Sequence, residues 1–215
     1  MLKKGLTMAT VTILDHPLID VKMTILRDVN TPPRLFRQTL HEVASLMSAR
    51  VFSHIKTRPC RVMTPLEETD GALLEEHVPC LVSILRAGNG LTDAMLPIIP
   101  DATVGHLGME RHHDTHQARA YYEKLPPFIE KRQVILIDPM LATGGSAIMA
   151  ADHLKSHGVS DIVFAALVAA PEGVKAFHDH HPDIEIICAT LDRELNENCY
   201  ILPGLGDAGD RIYNT

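Results

Sequence analysis

Four short apolar runs, each bounded by turn residues, restrict this chain to one broad class of fold. They are Val78–Leu85 (VPCLVSIL), Gln133–Ile137, Asp161–Ala169 and Ile184–Ala189, with a weaker run at Thr103–Leu107. Runs this continuously apolar read as strands covered on both faces, since a half-solvated antiparallel sheet would alternate. Between them lie segments with helical spacing. Leu35, Phe36, Leu40, Val43, Ala44 and Met47 fall three or four apart behind Pro32 and Pro33, where prolines suit a helix start. Ser146–His157 stops at Gly158, and Pro171–His180 is a further candidate helix. Strands alternating with such helices predict an open, mostly parallel twisted α/β sheet flanked by helices. Ligands of such sheets bind at the carboxyl ends of the strands. The less regular segment Arg58–His77 reads as a hairpin or flap.

The bulk numbers narrow the class of function. A chain of 215 residues with 46% hydrophobic residues can bury a full core, and no linker or repeat divides it, so residues 1–215 are expected to form a single domain. A formal charge of −7 with no basic run speaks against a nucleic-acid surface. Cys60, Cys80, Cys188 and Cys199 are scattered without a Cys-x-x-Cys pair, the usage of reduced thiols in a cytoplasmic protein. The mildly apolar start is broken by threonines and by Asp15-His16-Pro17, which favours a cytosolic start, with Met8 an alternative initiator to Met1. No run approaches the ~20 apolar residues of a membrane helix.

The strongest local signal is VILIDPMLATGGSA, Val134–Ala147. A strand ends in an acid, Asp138, and Thr143-Gly144-Gly145-Ser146 opens a helix. Amides at a helix N-terminus lack intrahelical partners, and the helix dipole adds positive potential there. Glycines let the backbone approach a ligand closely, and the Thr143 and Ser146 hydroxyls add hydrogen bonds. Asp138 could accept from sugar hydroxyls. A bare Thr-Gly-Gly could equally be an ordinary tight turn, but the strand, acid and helix around it favour a phosphate. No lysine follows the glycines, so this is not a Walker loop.

A second constrained loop spans Tyr200–Arg211, with Gly204, Gly206 and Gly209 close together and two acids, Asp207 and Asp210, among them. Arg86 follows the first strand and precedes a turn, Ala87–Gly90, expected to carry free amides. Arg111 lies in a polar stretch, Gly108–Thr115, expected to be a mobile loop. Arginine forks suit pyrophosphate.

Val134–Ala147 resembles the phosphoribosyl pyrophosphate (PRPP) signature of type I phosphoribosyltransferases, and Asp138-Pro139 with Met140-Leu141-Ala142 resembles its uracil-specific branch. Tyr200–Arg211 resembles the uracil-binding end of that branch. ILRAGNGL, the run Val104–Pro126, Thr64–Glu67 and Ala169–Gly173 extend the resemblance over nearly the whole chain. It implies transfer of the 5-phosphoribosyl group of PRPP to uracil, giving UMP and pyrophosphate. Arg86, Arg111, Asp138, Pro139, Met140, Leu141, Ala142, Thr143, Gly144, Gly145, Ser146 and Asp207 would then bind PRPP. Ile201, Gly206, Asp207 and Ala208 would bind uracil, and a rigid backbone edge would reject cytosine by leaving groups unpaired. The catalytic roles fall to Asp207 and Arg111. Mg²⁺ is implied with PRPP, held mainly by substrate phosphates and by Asp207. A GTP effector and a homo-oligomer are implied as well, with the apolar helix Leu35–Met47 a candidate interface, while no membrane or nucleic-acid partner is. The resemblance also implies a small hood formed by the N- and C-terminal segments. Asn89, where the family commonly has leucine after Arg-Ala-Gly, Ala94, Asn214 and the pair His112-His113 depart from the family pattern.

Two other readings remain at this level: a regulatory PRPP- or nucleotide-sensing module on the same fold, and transfer to another base. A metal reading of the histidine clusters His112–His116 and His178–His181 is weaker than that of solvated surface groups for the second cluster.

Overall fold

The computed structural model describes residues 11–111 and 118–215. Expectations for residues 1–10, for His112, His113 and His116, and for the intended loop tip therefore lie outside the described residues. In chain order the elements are β1 (Val11–Ile13), α1 (Pro17–Arg27), α2 (Pro33–Val51), β2 (Thr57–Met63), β3 (Glu68–Leu74), β4 (Cys80–Leu85), α3 (Gly88–Met95), β5 (Thr103–Arg111) and β6 (Ala118–Lys124). There follow β7 (Val134–Ile137), β8 (Met140–Leu141), α4 (Gly145–Ser156), β9 (Ile162–Ala169), α5 (Pro171–His180), β10 (Glu185–Leu191), β11 (Glu194–Leu195), β12 (Ile201–Leu202) and α6 (Ala208–Tyr213).

The main sheet runs β1-β10-β9-β7-β4-β5-β6, with β8 alongside β9. Its pairs are parallel except β5–β6, which is antiparallel. The continuous apolar runs divide by alternate residues, as the pleat requires. Leu81, Ile135, Ile137, Val163, Ala165 and Leu167 join α1, α2 and α3 in one core. Cys80, Val82, Val134, Leu136, Phe164 and Ala166 join α4 and Phe177 of α5 in the other. One strand therefore serves two cores and is apolar at nearly every position, the buried Ser83 of β4 being hydrogen-bonded.

Three expectations are corrected. The apolar face of α2 is no interface: Phe36, Leu40, Val43, Ala44 and Met47 are fully buried in the chain's own core. Of the large apolar side chains on α2 only Leu35 is exposed; the β2–β3 hairpin carries a group of exposed apolar side chains at Val62, Met63, Leu66 and Leu73, and α1 carries Leu18 and Val21. The polar stretch from Gly108 belongs to a ladder, not a loop, at its near end, because β5 continues to Arg111 and pairs with β6. Two amides of the turn after β4 are taken. Asn89 N–H donates to Arg86 O and Gly90 N–H to Ala87 O, and α3 begins at once.

α3 was hidden by Gly88 and Gly90, poor helix formers. Packing explains them: a Cβ on Gly88 would stand 2.6 Å from Ile137 O, and one on Gly90 2.9 Å from Leu40 Cδ2. α1 was missed because only Ile19, Met23 and Leu26 form its buried stripe. The terminal segments do meet. Arg211 on α6 donates to Leu26 O, to Leu205 O (3.0 Å) and to Asp28 O (2.6 Å), and its guanidinium lies 4.4 Å from the centre of the Phe36 ring.

His181 corrects the surface reading of its cluster. It is 2% exposed, with Nε2 3.2 Å from Ile148 O and its ring against Phe177. Burial lowers its pKa; the Ile148 carbonyl opposes this, and Lys155 adds to the lowering.

Candidate active site

The phosphate loop is built by pinning a strand end and then starting a helix. After β7, Pro139 O accepts from Leu167 N–H (3.0 Å) and Val168 N–H (2.9 Å), and Ala170 N–H donates to Leu141 O (2.9 Å). β9 thus holds Asp138–Leu141 in place from one side. From another side, Gly173 of α5 presses so closely that a Cβ there would stand 2.3 Å from Ala142 O and 2.7 Å from Leu141 O. Gly144 then turns the chain with φ +83°, a left-handed value that glycine adopts without strain, and caps α4. The amides of Gly145, Ser146 and Ala147 lie in the first turn of α4, where no intrahelical acceptor exists. A recess of about 100 Å³ lies in this loop, lined by Asp138 and residues 140–147.

Asp138 stands half-buried at the strand end. Its carboxylate accepts from Met140 N–H at 3.2 Å. Burial pushes its pKa up to about 7; the Met140 amide opposes this, and the charge of Asp207 adds to it.

The base loop is held from beneath by an ion pair. Arg27 grips Asp192 with two bonds of 2.6 and 2.7 Å and also donates to Gly204 O at 2.7 Å. Asp192 accepts from Gly204 N–H at 2.8 Å, so one carboxylate and one guanidinium fix both polar groups of Gly204. Burial alone would raise the Asp192 pKa, but the Arg27 hydrogen bond, the Gly204 amide and the Arg27 charge outweigh it and hold the group below its ordinary value. Gly204 is at φ +60°, and a Cβ there would stand 2.1 Å from Ile201 O. Asp207 caps α6, its Oδ1 accepting from Asp210 N–H at 2.9 Å.

Arg86 follows β4 with its side chain mostly in solvent, its Nη2 3.7 Å from Asp210 Oδ1. Beneath it, the buried Ser83 hydroxyl donates to Asn89 Oδ1 at 2.7 Å and stands 2.8 Å from His106 Nδ1. Having spent its one proton, Ser83 accepts from the His106 Nδ1–H. Asn89 therefore serves a buried hydroxyl that leucine could not. Asn214 also has a local cause, since it ends α6 at φ 61°, a conformation that glycine or asparagine tolerates best.

The loops face one cavity of about 360 Å³. Arg86, Asp138, Met140, Ala142, Ser146, Ile201, Gly206, Asp207 and Ala208 line it, joined by Ile84, Met109, Cys199 and Tyr200. Pro139, Leu141, Thr143, Gly144 and Gly145 are absent from that wall; Leu141, Thr143, Gly144 and Gly145 line the adjoining recess. Arg111 is the last residue of β5, paired with Ala118, and its side chain lies outside the described part. Met109 and Cys199 were unread in the sequence because neither carries a polar signal. Chemically, the site offers backbone amides for a phosphate, a carboxylate at the strand end, a cation and a backbone edge on an apolar floor.

A family model described as uracil phosphoribosyltransferase matches residues 13–215. A curated protein named uracil phosphoribosyltransferase from Listeria welshimeri is 50% identical over 208 residues, covering 97% of this chain and all of that protein. The solved AQ2163 protein from Aquifex aeolicus superposes with a TM-score of 0.86 at 34% identity, covering 95% of this chain and 98% of the other. An adenine phosphoribosyltransferase from Trypanosoma brucei, solved with AMP, pyrophosphate and ribose-5-phosphate, shares the fold at a TM-score of 0.58 and 12% identity, covering 91% of this chain and 87% of that one.

Proposed function

The chain belongs to the uracil phosphoribosyltransferase family, and on that premise we propose how its own residues transfer the 5-phosphoribosyl group of PRPP to uracil, giving UMP and pyrophosphate. The observation that carries the proposal is the shared cavity: the phosphate loop, Arg86 and the base loop open onto one space of about 360 Å³.

The amides of Gly145, Ser146 and Ala147, with the hydroxyls of Thr143 and Ser146, bind the 5-phosphate at the head of α4. Asp138 accepts from the ribose hydroxyls, with Met140 and Ala142 shaping that wall and Leu141 the recess beside it. Arg86 and Arg111 receive the pyrophosphate. Uracil lies on Ile201 and pairs with the backbone of Gly206, Asp207 and Ala208, the rigid edge selecting carbonyl over amino groups. Displacement at the sugar passes through oxocarbenium character, so the protein needs no nucleophile; it aligns the base with C1 and stabilises the leaving charge.

The donor set fits a sparingly held Mg²⁺. Asp207 spends Oδ1 on the Asp210 amide, which leaves its second oxygen for a cation whose other ligands are substrate oxygens and water. When bound, the ion offsets charge on the departing pyrophosphate. The family resemblance supports a homo-oligomer, for which the exposed apolar residues of the β2–β3 hairpin are the candidate surface. It also supports a GTP effector. A cytoplasmic setting accords with four unpaired cysteines, and no helix among the described residues is long and apolar enough to cross a membrane.

The test is UMP formation from uracil, PRPP and Mg²⁺, with cytosine, hypoxanthine and orotate in parallel. Uracil alone should react, and Asp207→Asn and Arg111→Ala should abolish turnover with the fold intact. If no base reacts while PRPP or UMP still binds, the chain is a sensing module.

A further inference from the structure

Away from the cavity, three metal-ligand side chains converge where α4 meets the edge strand β6. His153 on α4 and His157, the residue that caps its C-terminus, stand one turn apart, a spacing that puts both rings on one side. Opposite them is Glu123 of β6. His153 Nε2 lies 2.6 Å from Glu123 Oε2, and His157 Nε2 lies 3.3 Å from Glu123 Oε1. One donor atom from each residue falls within 4.8 Å of the other two.

We propose that Glu123, His153 and His157 form a binding site for a divalent transition metal of the zinc class. Two imidazoles and one carboxylate are the donor set that zinc, cobalt and nickel favour over magnesium or calcium. Metal–ligand bonds of about 2.0–2.2 Å place tetrahedral donors roughly 3.3 Å apart, a spacing the three residues reach by small side-chain rotations.

The outer shell is already set for one ligand. His157 Nδ1 lies 2.9 Å from the carbonyl oxygen of His153 and donates its hydrogen there. That bond fixes the tautomer and leaves the Nε2 lone pair facing the glutamate, the arrangement usual behind a metal-bound histidine. The side chains are between 26% and 38% exposed, which leaves a path for the ion and a place for a water as fourth ligand. Binding would displace the proton shared by His153 and Glu123. It would also clamp β6, the far arm of the hairpin that carries Arg111, to the helix whose first turn is the phosphate loop.

The test uses untagged full-length chain stripped with chelator and titrated with Co²⁺, then Zn²⁺. One Co²⁺ per chain with visible absorption bands, displaced by Zn²⁺, is expected. His153→Ala and His157→Ala should each lose the bands, and Glu123→Gln should weaken binding roughly tenfold or more. Zn²⁺ should raise the melting temperature of the parent chain and leave that of His157→Ala unmoved. All three residues are partly exposed, so each metal-free variant should melt with the parent. Absence of Co²⁺ binding, or variants that keep the parent's affinity and spectrum, would overturn the site.

Discussion

The phenolic hydroxyl of Tyr213 donates to the carbonyl oxygen of Arg86 across 2.9 Å, joining α6 to the turn after β4 over a separation of 127 residues. The Arg86 guanidinium sits 5.6 Å from the centre of the same ring. α6, which follows the Tyr200–Asp207 loop, and the turn after β4 are thus parts of one mechanical unit.

Tyr213→Phe keeps the ring and deletes the bond. A single hydrogen bond of this kind is worth about 1 kcal/mol, so the melting temperature should move little. The KM for PRPP should rise several-fold, with the uracil KM less affected. Steady-state kinetics in both substrates checks this, and an unchanged PRPP KM would detach Tyr213 from the pyrophosphate turn.

Gly173→Ala adds a methyl group 2.3 Å from Ala142 O. Both flanking groups are backbone, so α5 and the phosphate loop must part, at a cost of about 1–3 kcal/mol. Weaker PRPP binding should accompany the lower stability, since the loop's geometry is what moves. Calorimetry with PRPP alone separates that loss from turnover.

Asp138 should make the unliganded enzyme pH-sensitive. Its pKa rises from an ordinary 3.8 to about 7 on folding. The folded state therefore prefers the neutral acid, and the stability it gives is full below 3.8 and lost as pH climbs through about 7. Asp138→Asn should gain stability over the parent at pH 8, with the gain fading towards pH 4, as thermal melts across pH would show. Affinity for PRPP in the parent should fall below pH 7, because the ribose contact needs the carboxylate.

Arg27→Met should leave Asp192 buried and unpaired beneath Gly204. With the Asp192 side chain 3% exposed and that of Arg27 25% exposed, the loss should be about 3 kcal/mol. Chemical denaturation measures it, and uracil KM should rise because the Gly204 carbonyl loses its donor and Asp192, which holds the Gly204 amide, loses the partner that orients it. In the parent, the stability from this pair is present above the ordinary Asp value and fails as pH drops below it, since the Asp192 pKa is lowered.

Asn89→Leu installs the residue the family pattern favours and removes the acceptor of the Ser83 hydroxyl. An unsatisfied buried hydroxyl costs about 1–3 kcal/mol. The double variant Ser83→Ala, Asn89→Leu should recover most of it, and denaturation of the four-member cycle would expose the coupling.

Much of the sheet was legible because fully buried strands must be apolar at every position, a pattern that Val134–Ile137 and Ile162–Ala169 display openly. The phosphate loop was legible because Gly144 and the helix behind it announce themselves. α5 emerged with both ends as read, Pro171–His180, since its proline start is local. What escaped was whatever depends on partners distant in sequence. α3 looks like a loop until Leu40 and Ile137 are brought against its glycines. Arg27 and Asp192 are ordinary charges until the fold puts them together. The His153–His157 pair lay within the segment read as a helix, which ends one residue earlier at Ser156, but its meaning depends on Glu123, which comes from β6.

The ties that complete the cavity cross almost the full span of the polypeptide, 185 residues between Arg211 and Leu26 and 177 between Arg27 and Gly204. During synthesis residues 138–147 leave the ribosome well before residues 201–208, which line the other side of the cavity. A nascent chain ending ahead of Asp207 already holds the sheet strands and α4, yet it lacks one wall of the cavity. The cavity is thereby complete only once Asp207 and Ala208 have left the ribosome.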